Sequence, residues 1–136
     1  MRSGDALIRL AKHKIDGLRK LIQAAEESLA EIDRQLAQVD QDEKRERAIA
    51  ARSGDPMGTL PHYMATLRAR RTNLRSTTHG ITLQIEGLRG ELRRAFEDQK
   101  RFELLEERRR AREAEASARR EQALMDESAT MRAARR

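Results

Sequence analysis

The side chains available for chemistry are three histidines, 23 carboxylates and 29 lysines and arginines, with no cysteine among 136 residues. Without a thiol there is no disulfide, no thiolate nucleophile and no thiolate metal site. A zinc site would have to draw on His13, His62 and His79, but these are scattered along the chain and none belongs to an HExxH helix. No phosphate-binding GxxxxGK[ST] loop, GxSxG elbow or EF-hand loop occurs. Carboxylates serve as general acids or bases only where a pocket shifts their pKa, and here they alternate with basic residues on solvated surfaces. The residue types and spacing therefore argue against an enzyme, a metal or a cofactor.

Charge is the more informative chemistry. The net charge is +6, divided as +1 in residues 1–52, +4 in 53–102 and +1 in 103–136. No acid stands between Asp55 and Glu86, whereas Arg68, Arg70, Arg71 and Arg75 all fall there. Such a patch suits an acidic partner. Nucleic acid is disfavoured, because acids interleave almost everywhere else and Tyr63, Phe96 and Phe102 form no stacking platform.

The elements that carry these groups follow from composition and period. Charged residues make up 38% of the chain and only three residues are aromatic, which suits long solvated helices with a narrow seam rather than a broad core. Neither an apolar signal core nor about twenty uninterrupted apolar residues occurs, so any membrane contact is expected to be peripheral. Alternating steps of three and four residues pick out Ile8, Ala11, Ile15, Leu18, Ile22, Ala25, Leu29, Ile32, Leu36 and Val39 without a polar interruption. This is a heptad repeat, continued more weakly by Glu43, Glu46 and Ala50.

Gly54, Pro56, Gly58 and Pro61 then make a continuous helix untenable, and Thr59 is positioned to cap the next one. A second series follows: Leu60, Met64, Leu67, Arg71, Leu74, Thr78, Ile81, Ile85, Leu88, Leu92, Ala95, Gln99 and Phe102. The expected fold is all-α, an antiparallel two-helix coiled-coil hairpin with an overhanging C-terminal helix. It forms a single domain over 1–136: helix one at about 5–52, a tip at about 53–60, helix two at about 60–128 and a frayed end at 129–136.

Folding back at the tip sets Ala11 opposite Phe102, Leu18 opposite Ala95, Leu29 opposite Ile85 and Ile32 opposite Ile81. Two of these layers set a large residue against a small one, which favours this register over a slipped one. The same register faces Glu43 with Arg71 and brings Asp40, Asp42, Glu43 and Glu46 beside the four arginines. A polar pair within a seam penalises wrong alignments more than it stabilises the right one. Gly80 and Gly87, seven residues apart, either weaken the helix or admit a close neighbour.

In this register the last roughly 27 to 31 residues have nothing opposite them. They are rich in helix formers, and Glu106–Arg110 and Glu115–Arg119 are spaced for mutual support. Leu124 and Met125, with Met131 nearby, form an apolar cluster on this polar extension and are candidates for docking.

The segment Leu7-Ile8-Arg9-Leu10-Ala11, the stretch Leu18 to Ile32 and the run Arg119-Arg120-Glu121-Gln122-Ala123-Leu124-Met125-Asp126-Glu127 resemble the FliJ family of flagellar protein-export components. The resemblance covers essentially the whole chain. It implies a non-enzymatic stalk or escort of the flagellar type III export apparatus, similar to the coiled coil of a rotary ATPase γ subunit. It further implies three partners: the hexameric export ATPase ring, the cytoplasmic part of the export gate membrane protein, and export chaperones. The location implied is the cytoplasm, peripheral to the inner-membrane apparatus. Candidate partner-binding residues are Leu7 and Leu21 on the first helix, with Arg108, Arg109, Arg110, Leu124, Met125, Asp126 and Glu127 on the second.

Two rivals stay open on the residues alone, a nucleic-acid-binding coiled coil and a generic coiled-coil scaffold or chaperone. The seam and the extension respond differently to charge. Leu29→Asp buries an unpaired carboxylate and should lower the melting temperature and helicity, whereas Met125→Asp should leave both unchanged. Equal losses from the two substitutions in a circular-dichroism melt would contradict this division.

Overall fold

The computed structural model describes residues 3–135. They form two long helices, α1 (Ser3–Ser53) and α2 (Leu60–Ala134), with no strand among the described residues and with contacts consistent with a hairpin. No described helix is long and apolar enough to cross a membrane.

The break between the helices is built from four residues with distinct tasks. Gly54 ends α1 with φ at +71°, in the left-handed region that side chains resist. The amide of Gly58 then donates to the Asp55 carbonyl at 3.1 Å, closing a turn with Pro56 second and Met57 third. Gly58 adopts φ of +65°. Finally both Asp55 carboxylate oxygens accept amide protons of the new helix, from Thr59 at 3.1 Å and Leu60 at 3.0 Å. Thr59 supplies the carbonyl that receives the first α2 bond, from Tyr63 at 3.0 Å. The expected Thr59 cap is thus corrected: the capping side chain is Asp55, which reaches forward across the turn.

Burial follows one narrow line on each helix. Every position from Ile8 to Val39 in the first series is buried or half-buried, and so is every position from Leu60 to Phe102 in the second. Val39 is the most enclosed, at 1% exposed. Leu74, Ile81, Leu88, Leu92 and Phe102 are half-buried, so the seam is shielded without being a deep core. Thr78 carries a buried hydroxyl with no hydrogen-bond partner among the described residues, a desolvation cost of about 1–3 kcal/mol. By contrast Thr66, Thr72, Thr77 and Thr82 turn their hydroxyls onto the carbonyl four residues back.

By contacts the chain divides into two compact units, one of Asp16–Arg93 and one of Met1–Ile15 with Arg94–Arg136. The first holds the tip and buries Leu18, Ile22, Ala25, Ile32, Val39, Leu67 and Ile85. The second, the terminal unit, buries Ala11, Ile15 and Ala95, and also Glu106. A Cβ added at Gly17, Gly80 or Gly87 would meet nothing within 4 Å, so within this chain these glycines admit no close neighbour.

Because Asp55 satisfies two amides that α2 cannot satisfy itself, Asp55→Ala should destabilise the chain by about 0.5–2 kcal/mol. Asp55→Asn should recover part of the loss in thermal melts. An unchanged midpoint for Asp55→Ala would show that water caps α2 equally well.

Candidate functional site

In the Asp16–Arg93 unit, Arg71 crosses from α2 to α1. Its guanidinium donates to Glu43 at 2.7 Å and to Asp40 at 2.9 Å. Glu43 also accepts from Arg47, and the hydrogen bond from Arg71, followed by that from Arg47, holds its carboxyl below the ordinary range. Of the four clustered arginines only Arg71 reaches these acids. Arg68, Arg70 and Arg75 point to solvent without an ion pair among the described residues, and Asp42 is taken by Arg45 of its own helix at 2.7 Å. The expectation that the acids lie beside all four arginines is corrected to a single half-buried crossing. A second crossing joins Arg89 to Glu26 at 3.0 Å, both exposed.

The tip of the same unit encloses an open cleft of about 650 Å³ between Ile49, Met57, Leu60 and Tyr63, with His62 on its rim. Met57 is 86% exposed. Leu21, a candidate contact residue, lies exposed in this unit.

The terminal unit holds most of the chemistry. Four residues beyond Phe102 the three-four series reaches Glu106, which is only 5% exposed. A lone carboxylate there would carry a large desolvation penalty. Arg109 removes it with two parallel bonds, 2.7 Å to Oε1 and 3.0 Å to Oε2, and Arg110 adds a third at 3.1 Å. The Arg109 bonds are the main reason that the Glu106 pKa falls to about 2, against the opposing effect of burial. Arg109 also donates to Glu113 at 2.7 Å, and Arg110 reaches across to Asp5 of α1 at 3.2 Å. Gly4 packs against the Glu106 carboxylate so closely that a Cβ would collide with it.

Two adjoining hollows of about 210 Å³ each flank this cluster and share Leu7 and Phe102. Of the candidate contact residues, the structure brings Leu7, Arg109 and, through Asp5, Arg110 to this place. Arg108, Leu124, Met125, Asp126 and Glu127 stand exposed on α2, with Leu124 and Met125 each 65% exposed. Glu106 as a seam residue, Gly4 and the hollows escaped sequence reasoning. The signal for Glu106 was present, since the series continues from Phe102 by four residues, but a carboxylate reads as the end of an apolar repeat.

Among the described residues no cluster of three or more His, Asp or Glu could hold a metal ion. His13, His62 and His79 are all exposed. A family model described as flagellar FliJ protein matches residues 5–136. No curated protein and no solved structure matches the chain.

The Glu106 carboxylate is stabilised in its charged form, so its contribution to folding is complete above the ordinary carboxyl pKa of 4.5 and vanishes as pH falls through about 2. Glu106→Gln should therefore melt earlier than the native chain at neutral pH, with the gap closing between about pH 4.5 and pH 2. A gap that stays constant over that range would show that the charge itself contributes nothing.

Proposed function

The chain belongs to the FliJ family of flagellar export components, and we propose that it serves flagellar protein export as a non-enzymatic stalk or escort. The observation that carries this reading is the family match over residues 5–136, nearly the whole chain. In this reading the two helices form one antiparallel coiled-coil domain, supported by the unbroken line of shielded positions from Ile8 to Val39 and from Leu60 to Phe102. The Arg71–Glu43 crossing acts as its register pair. Beyond Arg110 the second helix overhangs, and its exposed Leu124 and Met125 support a docking role.

The proposed partners are the export ATPase ring, the cytoplasmic part of the export gate and export chaperones. The two long helices, α1 (Ser3–Ser53) and α2 (Leu60–Ala134), support a role that rests on helical contact with partners. The residues proposed to meet partners are Leu7, Leu21, Arg108, Arg109, Arg110, Leu124, Met125, Asp126 and Glu127. The proposed site of action is the cytoplasm, at the periphery of the inner membrane.

Adding the purified chain to the export ATPase of its own bacterium should raise ATPase oligomerisation and turnover, and Met125→Asp should reduce both effects while leaving helicity intact. Absence of any effect, together with DNA binding that weakens steeply with salt, would replace this reading with the nucleic-acid one.

A further inference from the structure

The tip carries cations that nothing within the chain uses. Residues 40–75 hold eight lysines and arginines against five acids. Asp40, Asp42 and Glu43 are spent on Arg71, Arg45 and Arg47, and Asp55 is spent on the amides of Thr59 and Leu60. That leaves Lys44, Arg52, Arg68, Arg70 and Arg75 without an ion pair among the described residues, against Glu46 alone. Arg70 follows Tyr63 by seven residues, two turns farther along the same side of α2, and Arg52 follows Ile49 by three on α1. Both therefore stand beside the open cleft of about 650 Å³ in which Ile49, Met57, Leu60 and Tyr63 present apolar surface.

The last turns of α2 are the counterpart of this cleft. Residues 121–131 contain three acids and no base. Gln122 donates to Asp126 at 3.0 Å, whereas Glu121 and Glu127 make no ion pair among the described residues. On a helix turning about 100° per residue, these two acids fall on the same half of the surface as Leu124, Met125 and Met131. Those three apolar side chains are 65%, 65% and 55% exposed. An apolar patch flanked by unpaired carboxylates matches a cleft flanked by unpaired guanidiniums. Glu46, the one unspent acid on the cleft wall, is answered by Arg120 and Arg132, which bracket the segment.

We propose that the tip cleft is a docking site for a second copy of the chain, which lays the acidic helical segment 121–131 into it. Leu124 and Met125 meet the apolar cleft, and Glu121 and Glu127 meet Arg52 and Arg70. The two surfaces differ, so the contact is heterologous and leaves each pair a cleft and a segment for further copies. An interface this small makes a transient contact. A docked chain has its Leu124 and Met125 covered, so self-association and presentation of those residues to an export partner exclude one another; that consequence alone rests on the export reading.

Sedimentation equilibrium of the full chain at low salt should give a mass that rises above one chain with concentration and falls back as salt is added. Reversing the tip with Arg52→Glu and Arg70→Glu, or the segment with Glu121→Arg and Glu127→Arg, should weaken association about fivefold or more at unchanged helicity. Mixing the tip-reversed chain with the segment-reversed chain should restore it, because each then offers the other a complementary surface. Arg68→Glu, the same change of charge on the side of α2 away from the cleft, should weaken association far less. A single-chain mass at every concentration, association indifferent to the tip reversal, or reversed chains that fail to associate when mixed would overturn the proposal. A chain that stays single while its tip binds the cytoplasmic part of the export gate would overturn self-docking and leave the export reading standing.

Discussion

A stripe about one side chain wide must be covered at every turn of two helices, and that constraint governs the rest of the molecule. With three aromatic residues in the whole chain there is no broad core to compensate for a misplaced layer. The shielded apolar residues therefore keep strict three-four spacing, while large apolar residues off that line, such as Leu10, Leu21, Leu83 and Leu105, stand exposed. Where a polar group intrudes on the line it is either matched, as Arg71 is by Glu43 and Asp40, or costly, as the unpartnered Thr78 hydroxyl is.

Glu106 is the most demanding of these intrusions. A buried carboxylate persists only because three guanidinium hydrogen bonds surround it. The arrangement also ties both ends of the terminal unit together, since Arg110 holds Asp5 and Gly4 leaves room for the carboxylate. Where the apolar line runs out, ionic contacts take over the task of fastening α1 to α2. The tip uses the same economy of means, with Asp55 shaping the turn through its carbonyl and capping α2 through its carboxylate.

Two long helices and the lack of strands among the described residues were legible in the sequence, because a 3.5-residue period sustained over ten positions has no other reading. Glycines and prolines at 54–61 marked the break. What the sequence hid was which side chain performs each polar task. Thr59 has the type and position of a cap, yet Asp55, four residues earlier at the start of the turn, reaches two amides. Arg68, Arg70 and Arg75 looked like neighbours of the acids, but a helix aims only one residue in each turn across the seam, and that residue was Arg71. Glu106 was overlooked because burial of a carboxylate depends on partners that a periodicity count ignores. The partner-binding residues rest on family likeness and exposure, neither of which a repeat pattern supplies.

The central claim is that the two helices meet in one particular antiparallel register. Its most direct test is a pair of cysteines in the otherwise cysteine-free chain, Ile32→Cys with Ile81→Cys, compared with Ile32→Cys with Leu88→Cys, which is displaced by one heptad. Disulfide closure requires Cβ atoms roughly 3.5–4.5 Å apart, so it reads alignment sharply. The account predicts rapid intrachain closure of the first pair and none of the second. Failure of the first pair to close, or equal closure of both, would contradict it.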